Sequence, residues 1–233
     1  MEELKQLLAD YRPSDEVIEI VKSSKLLFVV GISGAGKNTI INRLLESGDY
    51  HRIISHTTRA PRENYGVLEQ DGYEYHFIDD STVTQMIENK EFVEAKLYGH
   101  NVYGTSAREI QKAKDENKIA ITDIEVQGVQ EYWNLSQNIK VVFIVPPDYD
   151  TWQTRLTNRY KHGIDQEDLS RRKRIAREEI ELALSKDYFQ FVVNDDLPRA
   201  VHAVDRLSKG GESDQEYQQK GKDIAQRIVR NLG

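Results

Sequence analysis

Between Gly31 and Thr39 the chain reads Gly31-Ile32-Ser33-Gly34-Ala35-Gly36-Lys37-Asn38-Thr39, a glycine-rich turn closing on a lysine. Glycines permit positive φ and close backbone approach, so the N–H groups of such a turn can wrap a polyphosphate while the lysine reaches its terminal oxygens. The pattern GxxxxGK[ST] then asks for a hydroxyl to hold magnesium, and this chain has Asn38 there, with a hydroxyl one place later at Thr39. An amide oxygen is the weaker ligand, so magnesium is expected to be held mainly by the nucleotide phosphates. A second set of anion-binding types follows in Ser55-His56-Thr57-Thr58-Arg59-Ala60-Pro61-Arg62, where two guanidiniums flank a proline-stiffened turn beside hydroxyls. Such an arrangement suits a terminal phosphate, with Tyr75 and Tyr103 as further phenolic donors. A third lies downstream as Arg155, Arg159, Lys161, Arg171, Arg172, Lys173, Arg174 and Arg177. Mobile arginines of this kind can close over a transferring phosphoryl group and exclude water, although neighbouring acidic residues allow i,i+4 pairing to explain many of them.

These side chains need a scaffold. Leu26–Val30, Ile119–Ile124, Val141–Val145 and Phe191–Val193 are near-continuous apolar runs separated by helical patterns, which predicts an α/β domain whose parallel sheet is covered on both faces. The glycine-rich turn then falls between a strand and a helix carrying Ile40, Ile41, Leu44 and Leu45, so the helix N-terminus adds its dipole to the phosphate site. Residues 52–104 read instead as a small α+β insertion, with strands at Arg52–Thr57, Glu74–Ile78 and Phe92–Leu97 and a helix at Thr82–Asn89. Ser106 and Glu109 have the spacing of a capping box opening the next helix. Asp165–Lys186 reads as a long charged helix or helix pair. Residues 1–24 form a helical extension ahead of the core at 25–208, with a lid at about 150–177, and 209–233 form a second extension around Gln215–Leu232.

Composition bounds the chemistry. The 233 residues carry no cysteine and a net charge of −7, and mean hydropathy is −0.66. A disulfide framework, a thiolate metal site and a cysteine nucleophile are therefore absent from the options. The acidic balance argues against nucleic-acid binding, and no apolar run approaches the ~18 residues of a membrane span. The absence of a basic and apolar leader gives a cytoplasmic expectation. His56, His76 and His162 lack metal-ligand spacing and read as ordinary polar residues, so no protein metal site is expected.

The segments GISGAGKNT, SHTTRAPR, DGYEYHF, EFVEAKLYGHNVYGTS, DIEVQG, VVFIVPP and VVNDDL occur in the order of the guanylate kinase family, over roughly residues 26–207. The chain resembles that family of P-loop nucleoside monophosphate kinases. The resemblance implies a P-loop α/β fold with a GMP-binding insertion and an arginine-rich lid. It implies that Gly31, Ser33, Gly34, Ala35, Gly36, Lys37, Asn38 and Thr39 hold the ATP phosphates and that Asn194 contacts the donor adenine. Ser55, Arg59, Arg62, Tyr75 and Tyr103 would hold the GMP phosphate, and Glu94 and Thr105 would read the guanine edge. That last role agrees with chemistry, because guanine offers N1–H and N2–H₂ as adjacent donors to one carboxylate whereas adenine presents an acceptor. Asp123, closing the strand from Ile119, can approach magnesium or the acceptor nucleotide. The implied catalytic set is Lys37, Arg59, Arg155, Arg159 and Arg174. The stretch Tyr160–Asp165 is a few residues longer than the family's compact turn.

The expected activity is Mg²⁺-dependent transfer from ATP to GMP or dGMP, by a monomer or homodimer without nucleic-acid or membrane partners. The alternative is an inactive module of the same fold that grips phosphorylated partners; the intact glycine-rich loop and the arginines favour the enzyme. A kinase for another base is disfavoured by Glu94 with Thr105.

Overall fold

Leu26–Val30 is apolar at every position, as a strand covered on both faces must be, and it forms β1 with all five side chains buried. The computed structural model describes residues 2–64, 66–158 and 164–232. In chain order the elements are α1 (Glu2–Ala9), α2 (Asp15–Ser23), β1, α3 (Lys37–Leu45), β2 (Tyr50–Arg52), β3 (His56–Thr57), β4 (Glu63–Asn64), β5 (Val67–Leu68), β6 (His76–Phe77), α4 (Asp80–Glu88) and β7 (Phe92–Tyr98). There follow β8 (Asn101–Ser106), α5 (Ala107–Asp115), β9 (Ile119–Asp123), α6 (Val126–Leu135), β10 (Lys140–Val145), α7 (Tyr149–Thr157), α8 (Gln166–Leu184), β11 (Phe189–Val193), α9 (Leu197–Ser208) and α10 (Gln215–Asn231). They divide into two compact units. One comprises Met1–Lys25, Tyr50–Ala120 and Glu131–Asn138; the other comprises Leu26–Asp49, Ile121–Gln130 and Ile139–Gly233.

In the second unit β11, β10, β1 and β9 lie side by side in that order. β1 pairs parallel with β10, and β10 with β11, in registers such as Phe28 opposite Val141 and Phe143 opposite Phe191. The glycine-rich turn leaves the C-terminal end of β1, where open α/β sheets bind their ligands, and enters α3. The edge strand β11 does not present a bare ladder. Gln218 of α10 accepts from the Phe191 N–H at 2.6 Å and donates to its carbonyl at 3.1 Å, and the backbone at Gly221 lies against the Phe191 side chain. The C-terminal extension thus closes a sheet edge.

In the first unit a second sheet runs β6-β3-β8-β7. The N-terminal extension packs on it. Leu4 joins Val83, Ile87, Phe92 and Val102 in one apolar cluster, and the Tyr11 hydroxyl donates to the Phe92 carbonyl at 2.6 Å. Burial pushes the Tyr11 phenol up to about 12.

Three sequence expectations differ in detail. The strand expected at Arg52–Thr57 is two short strands, β2 and β3, because the Ile54 N–H turns to the Glu109 carboxylate at 3.3 Å. Ser106 does occupy the N-cap of α5, but its hydroxyl makes no cap bond, and Glu109 is buried in other contacts. The helix expected from Thr82 begins at Asp80, since the Asp79 carboxylate accepts the Thr82 N–H at 2.7 Å. Asp165–Lys186 resolves as the single helix α8, capped by Asp165.

Candidate functional site

The glycine-rich turn lines a cavity of about 700 Å³ within the second unit, together with Asp123, Glu125, Trp152, Arg155, Arg172, Glu179 and Asn194. Gly31, Gly34 and Gly36 all have positive φ. At Gly36 a Cβ would overlap the Asn194 amide, so glycine is required twice over, by backbone conformation and by space. Asn194 braces the turn by donating to the Ala35 carbonyl at 2.8 Å. Trp152 does the same from below, donating to the Ser33 carbonyl at 2.8 Å. Lys37 folds back so that Nζ donates to the Gly31 carbonyl at 2.5 Å. Asn38 and Thr39 are exposed to the cavity, whereas Ala35 is buried and contributes through its backbone.

Arg155 donates through Nη2 to the Asn194 carbonyl at 3.1 Å, while its buried Nη1 has no partner among the described residues. A buried cationic donor without an acceptor, beside a glycine cradle, fits a polyphosphate. Glu179 of α8 also faces this space. Burial raises its carboxyl to about 7, with Lys37 opposing and Glu125 reinforcing the shift. Among the described residues no group of three or more His, Asp or Glu side chains could hold a metal ion. Asn38, Thr39 and Asp123 line the same cavity as the cradle, and magnesium bound there would be held mainly by phosphate oxygens.

The other candidate residues assemble within the first unit. Glu94 of β7 is the cross-strand partner of Thr105 of β8, and the Thr105 hydroxyl lies 3.2 Å from that of Ser55. Burial raises the Glu94 carboxyl to about 7, opposed by the hydrogen bond from Thr105. Tyr132 stands beside the pair, buried and also bonded to Thr105. Arg59 is 8% exposed and stacks over Tyr75 at 5.4 Å, with Tyr75 and Tyr103 5.9 Å apart. Its guanidinium is gripped by Glu69 through Nη1 at 2.7 Å and Nη2 at 3.1 Å, and Glu69 also accepts the Arg62 N–H at 2.8 Å. The Arg62 side chain is exposed. Glu69 thus sets the fork of Arg59 and the path of the turn before Arg62.

A family model described as Guanylate kinase matches residues 23–209. The chain belongs to the guanylate kinase family. It is 39% identical over 177 residues to the guanylate kinase of Myxococcus xanthus, covering 75% of this chain and 81% of that one. It is 34% identical over 191 residues to Guanylate kinase 1 of rice, covering 81% of this chain but 48% of the relative, so it spans about half of that protein's length. The crystal structure of guanylate kinase from Anaplasma phagocytophilum shares the fold, with a TM-score of 0.58 at 21% identity over 90% of this chain and 98% of the other.

Within this guanylate kinase fold, Asp123 lines the cavity of the glycine-rich turn, in the unit that holds Lys37 and not in the one that holds Glu94. Arg174 is exposed and lines a surface groove with Asp165, Glu167 and Arg171, away from the cavity that Arg172 enters. Residues two apart on a helix point to opposite sides, and α8 turns Arg172, Ala176 and Glu179 inward together. Asp168 steadies Arg172 by accepting from Nε at 2.9 Å. Arg159 lies outside the described residues, as do Tyr160 to Gly163 of the lengthened stretch. Sequence reasoning named Arg172 only within the basic run, without separating it from Arg174, and missed Glu179, Glu69 and Tyr132. Helical phase from Ala176 and Ile180 would have singled out Arg172 and Glu179, since these buried residues mark the inner face of α8.

Proposed function

We propose that this chain catalyses Mg²⁺-dependent phosphoryl transfer from ATP to GMP, and to dGMP, yielding ADP and GDP or dGDP. The observation that carries the reading is the Glu94–Thr105 pair beside Ser55 in a chain that also holds a glycine cradle with Lys37 and an Arg155 whose buried Nη1 has no partner among the described residues. The two sites divide the work. Glu94 accepts the guanine N1–H and N2–H₂, while Ser55, Arg59, Arg62, Tyr75 and Tyr103 bind the acceptor phosphate. Gly31 to Thr39 bind the donor phosphates through backbone N–H groups, and Asn194 fixes the cradle from behind.

An acceptor phosphate oxygen forms the new bond to the γ-phosphorus as the bond to the β–γ bridging oxygen breaks, so ADP leaves with that electron pair. The attacking group is already anionic, and no general base is required. Lys37, Arg155 and Arg172 offset the charge that spreads over the transferring oxygens, and the enzyme's contribution is alignment and electrostatics. Magnesium, when bound, neutralises the β and γ oxygens. A cytoplasmic setting is part of the same proposal and is supported by the cysteine-free, polar sequence.

Two measurements test this. Coupled release of ADP from ATP·Mg is expected with GMP and dGMP and not with AMP, CMP or UMP; binding of GMP without turnover would overturn the enzyme reading. Within the active enzyme, Arg172→Met is expected to lower kcat about 10- to 100-fold, and Arg174→Met to change it less than about twofold. Steady-state kinetics with saturating ATP and GMP distinguish the two, and the reverse order would reject the inward role of Arg172.

A further inference from the structure

Glu109 is nearly fully buried, at 2% exposure, yet neither of the two substrate sites contains it. Its spacing from Ser106 is that of a helix cap, a role the fold leaves unfilled. Its two oxygens are used elsewhere. Oε2 accepts the Ile54 N–H at 3.3 Å, and Oε1 lies 2.5 Å from Lys112 Nζ and 3.2 Å from His76 Nε2, the last a charge contact without hydrogen-bond geometry. Burial alone would raise this carboxyl, but Lys112 and His76 hold it below the ordinary carboxylate range, so it remains an anion.

Each contact is next to a residue of the acceptor site. Ile54 precedes Ser55, the Ser55 carbonyl accepts the His76 N–H at 2.9 Å, and His76 follows Tyr75. α5 itself begins two residues after Thr105. The Ile54 anchor interrupts the expected strand between β2 and β3 and sets where β3 begins its pairing with β6 and β8. We infer that Glu109 is a positioning residue of the acceptor site, a buried anion that fixes Ser55, Tyr75 and Thr105 relative to one another through Ile54 and His76.

This rests on the reading of Ser55, Tyr75 and Thr105 as GMP ligands, and the test separates the two. Wild type, Glu109→Ala, Glu109→Gln and Glu109→Asp are compared for KM(GMP), KM(ATP), kcat and exchange of the Ile54 amide. Glu109→Ala is expected to raise KM(GMP) about tenfold, with KM(ATP) and saturated kcat within about twofold, and to release the Ile54 amide to exchange. Glu109→Gln keeps an acceptor for the Ile54 N–H but loses the charge facing Lys112 and His76, so it is expected to restore amide protection while leaving part of the rise in KM(GMP). If Glu109→Ala does not fold, Glu109→Asp, shorter by one methylene, is expected to give a smaller selective rise in KM(GMP). A fall in thermal stability with both KM values unchanged, or an equal rise in both, would overturn the inference. Failure of the wild type itself to use GMP would instead overturn the reading beneath it.

Discussion

Lys37→Ala is expected to lower kcat by about 10²- to 10³-fold while GMP affinity changes less than about twofold. The Nζ of Lys37 is held at the Gly31 carbonyl, inside the cavity lined by the glycines and Arg155. In the proposed reaction it is the charge that faces the β and γ oxygens of the donor, and removing such a charge costs transition-state stabilisation rather than acceptor binding. The loss also acts on its neighbour. Glu179 is already raised to about 7 by burial, and Lys37 is the group that lowers it, so the variant should carry a more fully protonated Glu179 at neutral pH. Apart from Asp123, the residues assigned to GMP belong to the other compact unit. Steady-state kinetics give the kcat change, and calorimetric titration of GMP without ATP gives the affinity. Equal loss in both would reject the division of roles between Lys37 and the acceptor residues.

What could be read from sequence was what local spacing encodes. The glycine-rich turn is legible because one strand, one turn and one helix dictate both its letters and its shape, and the apolar strands of the parallel sheet are legible because both their faces are buried. Glu94 and Thr105 were found through resemblance, and β7 and β8 pair them in register. Two kinds of feature escaped. On α8, arginines at 171, 172 and 174 are alike as residue types, and only the phase of the helix against its buried face separates the one entering the cavity from those outside. Glu69 and Glu109 escaped for the opposite reason: each acts on a backbone or side chain distant in sequence, Glu109 reaching Ile54 across 55 positions. A carboxylate gives no periodic signal that marks it as buried and paired. The broken strand at Ile53–Ser55 has the same origin, since the Ile54 N–H is satisfied by that distant carboxylate and not by a neighbouring strand.

Guanine recognition by Glu94 is expected to depend on pH and to collapse in Glu94→Gln. Burial raises the Glu94 carboxyl to about 7, so near neutrality the nucleotide-free protein is divided between a protonated form and a carboxylate. Only the carboxylate accepts both guanine donors, so binding must release a proton from the protonated fraction. KM(GMP) should therefore fall about tenfold between pH 6 and pH 8 and level off above that, provided the ATP concentration is saturating throughout. The proton release is measurable directly, as a calorimetric binding enthalpy that varies with the ionisation enthalpy of the buffer at pH 7. Glu94→Gln removes the charge and turns an amide donor toward one of the guanine donors. Loss of two charge-assisted bonds corresponds to about a 10²- to 10³-fold fall in kcat/KM for GMP, and the pH slope should vanish with it. The effect on stability has the opposite sign. A carboxyl raised above its unfolded value of 4.5 favours the folded state fully only below that value, and this contribution is lost as pH rises through about 7. Glu94→Gln should accordingly melt higher than wild type at pH 8 and lose that advantage at pH 5, so that the gain in stability and the loss of guanine binding trace to one buried charge. A pH-independent KM(GMP) in the wild type, or an unchanged melting difference between pH 5 and pH 8, would remove Glu94 as the titrating group.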